Sequence, residues 1–391
     1  MFDYFYVYMI GFLDIASLGL IMPALGRRLR EFGASHFQVS SLESLFSGLQ
    51  MITSPIAGTL SDRYGRKQML TLSMIISAMG FFAIGHCYTY ISVAIIRLIF
   101  GFLKHTLMLG RSLLGDHIPK EHLINAHGKM NSFVSLAFMI APVIGGRLSE
   151  QPNGFFSIAC LTSLLCVFNV AIIVLFVPNK KIKTNSIQKG MLNNFKELNW
   201  SLYWPLLIMR FMYMATISTI MTTLGLVLTE TYKLSPSQVG YVISFNSSIG
   251  VVTGFFVSKL ATIFKSYSTF NKCFYSFLLL SFGHFCFSFQ PNLMYYLLFT
   301  IPVSVGGTLI EVFLNQLLSE HCNDNNRGSL EGAMYSFSAI ARFITPMTVG
   351  VSMDKFGARG AYLFASTAAL CGAILAKFYD NKKVIKKIHN S

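Results

Sequence analysis

The feature that most constrains this chain is a succession of apolar stretches, each about as long as a bilayer is thick. They run over 4–26, 38–60, 69–89, 91–114, 130–150, 154–177, 203–228, 237–258, 271–290, 292–317, 330–351 and 360–379, and about 20 apolar residues in a helix cross a hydrocarbon core. These twelve segments take up most of the 391 residues, so no sizeable soluble domain fits beside them. The balance of 53% hydrophobic to 12% charged residues, with a mean hydropathy of +0.56, is far from that of a soluble domain. The expected fold is an all-α membrane protein of twelve transmembrane helices.

A formal net charge of +15 would suggest a nucleic-acid partner in a soluble protein. Here the positive residues follow topology instead, so no nucleic acid is expected. If the first helix starts inside, the opposite side receives Arg27, Arg28, Arg30, Arg147, Lys233, Lys355 and Arg359, while most of the other Lys and Arg fall in cytoplasmic segments. That bias places both termini and the central loop in the cytoplasm. The first apolar stretch lacks a basic flank and continues through Asp14 to Pro23, so it reads as a span and not as a cleavable signal. The seven cysteines are scattered without a paired spacing and read as buried small hydrophobes. No organelle address is legible.

Between the sixth and seventh segments lies the longest polar stretch, 179–201, rich in Lys and Asn. It reads as a cytoplasmic linker between an N-terminal six-helix bundle, 1–178, and a C-terminal one, 202–391, that ends in a short basic tail. The two halves resemble each other. Displacing the chain by about 204 positions lays Gly128, Met130, Ser132, Phe133, Pro142 and Gly146 on Gly332, Met334, Ser336, Phe337, Pro346 and Gly350. An offset near half the chain favours duplication, and pseudo-symmetric halves suit a carrier with a midplane site.

The loop after the second segment reads Gly58-Thr59-Leu60-Ser61-Asp62-Arg63-Tyr64-Gly65-Arg66-Lys67-Gln68-Met69-Leu70. It resembles the signature of the major facilitator superfamily, in which this loop is a conformational latch. Gly58 permits close helix contact, Asp62 can cap a helix N-terminus, and Gly65 allows a tight turn. Further likeness comes from Arg97 with Gly101 in the fourth segment and from Asp116, which matches the acid that pairs with the latch arginine. Ala141-Pro142-Val143-Ile144-Gly145-Gly146 resembles the helix-packing motif of the fifth helix, with Ala141 in place of the usual Gly. The second-half latch has decayed to Ser258-Lys259-Leu260-Ala261-Thr262, without the acid. Residues 103–107, 111–114 and Asp116 look most like the animal major facilitator superfamily domain-containing proteins numbered nine and organic-cation-transporter-like relatives.

Charged side chains inside spans cost about 2.5–3.5 kcal/mol each at a helix centre, so each needs a partner or a polar chamber. In a continuous fourth helix Arg97, Lys104 and Arg111 recur every seven residues and form a cationic ladder on one face, about 10 Å per step. Arg97 and Arg111, nearer the ends, also fit a purely structural pairing. The resemblance implies that helices one, four, seven and ten line the cavity, which singles out Asp14, Lys104, Arg210 and Glu311. Arg342, on the eleventh segment, is placed to pair with Glu311. His105 and His284 are each open to a proton-relay or a packing reading.

These residues suggest a secondary-active or facilitative transporter of a small organic solute working by alternating access, with proton coupling through Asp14 and Glu311 as an option. The excess of Lys104, Arg210 and Arg342 slightly favours an anionic solute, unless the acids neutralise them. The rival is a receptor or scaffold that keeps the fold without transporting, its tail lysines 382, 383, 386 and 387 serving anionic lipid or a partner. No phosphate-binding loop, catalytic signature or metal-ligand spacing occurs, so no enzyme, cofactor or metal is expected.

Overall fold

The computed structural model describes residues 4–118, 120–178, 200–263, 267–321 and 327–380. The expected linker lies outside the described residues except for 200 and 201, as does the lysine-rich tail. Among the described residues the chain is helical, without strands. The helices are α1 (Phe5–Glu31), α2 (His36–Tyr64), α3 (Arg66–Gly85), α4 (Tyr90–Leu103), α5 (Thr106–His117), α6 (Lys120–Ser149) and α7 (Gly154–Phe176). They continue with α8 (Trp200–Glu230), α9 (Pro236–Ile263), α10 (Thr269–Phe287), α11 (Leu293–His321) and α12 (Arg327–Tyr379).

Nine segments of the described residues are long and apolar enough to cross a membrane, by length and composition. One of them covers 332–379 and is long enough for two spans, and it is interrupted where Gly357 leaves helical geometry at φ 66°. Another covers 90–117 and holds both α4 and α5. α2 and α10 are not among the nine, being richer in polar residues. Counting the α4–α5 pair as one span and α12 as two, the helices follow the twelve apolar segments of the sequence.

Helix ends are set by local chemistry. Ser35 caps α2 in a reciprocal box with Gln38, its side chain accepting from Gln38 N while the Gln38 side chain accepts from Ser35 N. The hydroxyls of Thr89 and Ser268 cap α4 and α10. Gly65 separates α2 from α3 at φ 102°, a conformation that L side chains rarely adopt.

Two compact units emerge, one of 1–185 with 224–248 and the other of 186–223 with 249–391. The boundary thus falls within α8 and α9. In the first unit α1 is buried on nearly every side, with Val7, Ile10, Leu20 and Ile21 almost fully enclosed. α6 packs against it backbone to backbone: a Cβ on Gly145 would collide with Leu20 O, and one on Gly146 with Pro236 O of α9. In the second unit the rings of Phe287 and Tyr296 stack at 4.3 Å, and the Tyr296 and Tyr362 hydroxyls lie 3.3 Å apart in the interior.

Candidate functional site

In the first unit the centre of the site is a buried ion pair. Asp14 on α1 and Lys104 at the end of α4 approach to 3.0 Å, their side chains 4% and 11% exposed. The contact is ionic, since Asp14 Oδ1 lacks a hydrogen bond of good angle. The Lys104 ammonium also lies 5.1 Å from the Phe81 ring centroid, a face attractive to cations. Ser17, one turn from Asp14, lies 3.6 Å from Cys166 Sγ, both buried. A buried charge with a close opposite partner is tolerated where a lone one is not.

The fourth span is not continuous, which corrects the ladder reading. It breaks at Lys104 (φ −89°, ψ 93°) and His105 (φ −121°, ψ 24°), so the three cations do not share a face. They point to three different helices instead: Arg97 pairs with Glu43 of α2, Lys104 with Asp14 of α1, and Arg111 Nη2 donates to Asn131 Oδ1 of α6 at 3.1 Å. The break carries no proline. Side chains of neighbouring helices satisfy its backbone: Gln50 Nε2 donates to Lys104 O at 2.7 Å, and His105 N donates to Ser73 Oγ at 3.1 Å. The buried His105 ring lies with Nε2 3.1 Å from both Phe102 O and Thr53 Oγ1, and Nδ1 3.4 Å from Ser54 Oγ.

The loop after α2 is tied to α5. Arg66 Nε donates to Asp116 Oδ2 at 2.8 Å, and Arg66 Nη1 contacts Ser61 Oγ. Lys67 Nζ donates to Val174 O of α7 at 2.7 Å, and Arg63 lies over the ring of Tyr64. Gly58 accepts from the Ser61 hydroxyl and faces Met108 of α5. Gly101 brings α4 against α2, where a Cβ would meet Leu49 Cβ at 3.0 Å. The side chain of Asp62, and those of the second-half stretch from Ser258 to Thr262, lie outside the described residues.

The second unit has its own ion pair. Arg210 Nη1 on α8 donates to Glu311 Oε2 on α11 at 2.8 Å, and Arg210 Nε donates to Ser338 Oγ on α12 at 3.0 Å. The guanidinium also lies 5.6 Å from the Tyr213 ring centroid. Glu311 therefore takes Arg210 as a close partner; Arg342, which the sequence suggested for it, is exposed on α12. Arg210 is 12% exposed and Glu311 37%. His284 is fully buried, its Nδ1 bonded to Leu280 O at 2.9 Å, which is a packing arrangement.

Sequence reading missed Glu43, although a carboxylate within a span was signal enough to flag it. It also missed Gln50, Thr53 and Ser73, which are ordinary helix residues until the break is known. A further cluster escaped notice at the end of α1: Arg30 Nε donates to Glu230 Oε1 at 2.8 Å, and His36 Nε2 lies 2.7 Å from Glu230 Oε2. It borders a pocket of about 300 Å³ also lined by Arg27, Thr229, Lys233 and Leu234.

Ion pairs on spanning helices, one of them buried, with a charged loop bonded to a helix end, describe a membrane transporter more readily than any other class. The Major Facilitator Superfamily model matches residues 7–346. The chain belongs to that superfamily. It is 24% identical over 354 residues to the quinolone resistance protein NorA of Staphylococcus aureus (strain COL), covering 90% of this chain and 89% of that protein. Its fold is similar to that of the human organic anion transporter MFSD10 (TETRAN), with a TM-score of 0.72 at 16% identity over 95% of this chain and 98% of that one. A POT family transporter in complex with a thioalcohol conjugated peptide superposes with a TM-score of 0.82 at 12% identity, over 97% and 96% of the two chains. The protein is accordingly a multi-pass membrane protein of a transporter superfamily.

Proposed function

We propose that this chain is a secondary transporter of a small organic solute that works by alternating access and exchanges a proton in each cycle. The observation that carries this reading is the pair of intramembrane ion pairs, Asp14–Lys104 and Arg210–Glu311, one in each unit. A salt bridge within lipid adds little stability over an apolar pair of the same size, so its retention suits a role in which the partners separate. Protonation of either carboxylate removes its charge and releases the cation opposite. Asp14 and Glu311 are therefore the coupling acids, and a substrate charge can compete for Lys104 or Arg210.

Because both cations already have acids, the interior holds less positive bias than the sequence suggested, and neutral or cationic solutes suit it as well as anionic ones. Relatives named for quinolone resistance and for organic anion transport support an organic solute without fixing its charge. The halves 1–178 and 202–391, joined by the cytoplasmic linker and with both termini on that side, would be the moving parts. The narrower likeness to animal relatives rests on the residues around Lys104 and Asp116 alone. A scaffold without transport would leave these pairs without work.

The test begins with a thermal-shift screen of organic anions, cations and zwitterions on the purified chain. Uptake of the solute found is then measured in proteoliposomes with and without a pH gradient. Coupling requires that the gradient drive accumulation in the parent chain and fail to do so in Asp14→Asn or Glu311→Gln. Accumulation indifferent to the gradient would reject the proton, and absence of any flux would favour a scaffold.

A further inference from the structure

We infer that His105 is a positioning residue that holds the fourth span open at Lys104, and that this joint carries the state of the Asp14–Lys104 pair along α5 to the Arg66–Asp116 latch. The inference deepens the transport reading and rests on it for the meaning of the ion pair.

The joint is built so that its polar groups have two sets of partners. In a continuous helix the N–H of residue i meets the carbonyl of residue i−4, so His105 N would face Gly101 O, Thr106 N would face Phe102 O, and Met108 N would face Lys104 O. In the structure those positions are served otherwise. His105 N donates to Ser73 Oγ, Thr53 Oγ1 lies 3.2 Å from Gly101 O, His105 Nε2 lies 3.1 Å from Phe102 O, and Gln50 Nε2 donates to Lys104 O. A carbonyl can only accept, so the His105 contact forms with the proton on Nε2. The ring thus occupies an acceptor that rejoining would return to Thr106, and it does so while buried between α2 and α4. Without a proline to force the break, these side chains are what keep it open.

Opening gives Lys104 an extended backbone, its N–H still bonded to Phe100 O at 2.8 Å, and its ammonium reaches Asp14. Below the joint α5 is a short rod of 12 residues, about 18 Å long at 1.5 Å per residue. Its near end is the joint, and its far end carries Asp116, bonded to Arg66. Arg111, between them, bonds Asn131. Losing the charge on Asp14 frees Lys104, two residues before the rod begins, so a change of geometry at the joint is delivered to the latch acid by a rigid helix. Neighbouring helices meet the joint through Asp14 of α1 and Thr53 and Ser54 of α2, and meet α5 through Ser73 of α3 and Asn131 of α6.

The test needs no solute. Amide hydrogen exchange is measured on the purified full-length chain in lipid nanodiscs, for peptides covering 61–67 and 103–108. Asp14→Asn is expected to speed exchange in both peptides, by about fivefold or more at 61–67, the lower end of ordinary coupling between sites. In an Asp14→Asn/His105→Ala chain the span can rejoin, so the response at 61–67 should vanish and exchange at 103–108 should slow. In Asp14→Asn/His105→Gln, which keeps a donor for Phe102 O, it should return. If the alanine chain does not fold, Thr53→Val, which leaves the ring in place, must weaken the response while His105→Gln keeps it. A response at 61–67 that is absent in Asp14→Asn, or that survives without the ring, overturns the inference. Coupled exchange in a chain that moves no solute would instead overturn the transport reading and leave the joint standing.

Discussion

A lysine ammonium set halfway along a spanning helix needs an opposite charge, and Lys104 has one in Asp14 at 3.0 Å. The two are worth little as a stabilising pair, yet each is expensive alone. Lys104→Met should therefore destabilise the chain by about 3–5 kcal/mol by leaving Asp14 uncompensated, whereas Asp14→Asn/Lys104→Met should recover most of that loss. Thermal or denaturant unfolding in one detergent compares them. A single variant costing less than about 1 kcal/mol would mean that Asp14 finds another partner. Asp14, Lys104, Arg210 and Glu311 were legible as a group because charged residues are scarce in the spans. The pairing of Asp14 with Lys104 could be anticipated, whereas the partner of Glu311 could not, since cations from two helices lie within its reach and sequence separation does not rank them.

At the scale of helices, the twelve apolar segments marked the spans well because hydropathy is a property of whole stretches. The break in the fourth was invisible, because neither glycine nor proline sits at residues 104 and 105 and the partners that open it come from α2 and α3. Local propensity favours one helix there, and tertiary contacts win. The glycines of α6 show the reverse case, where sequence alone signals close packing. Gly145 has Leu20 O where a side chain would begin, so Gly145→Ala should separate α1 from α6 at a cost of about 1–3 kcal/mol. Gly115 of α5, with open space around the same position, should accept alanine with no loss. Matching unfolding curves for the two variants would refute the backbone contact.

For the whole molecule, the succession of apolar segments marked an all-helical membrane fold before any coordinate did. Two units each hold an ion pair between helices far apart in sequence, as a duplicated plan would require. Orientation rests on the distribution of Lys and Arg. A reporter fused after Ser391 should be reachable from the cytoplasmic side alone, and labelling from outside intact cells would reverse the topology. The solute itself stays illegible, because its recognition depends on a few side chains whose partners the fold chooses.

The most direct measurement is proton-driven uptake by Asp14→Asn and Glu311→Gln chains that express and fold as the parent does. If these carboxylates couple the cycle, either change lowers accumulation under a pH gradient by at least about a hundredfold, as loss of a proton-transfer group typically does, while exchange of solute across the membrane without a gradient persists. Undiminished accumulation in both variants would contradict it.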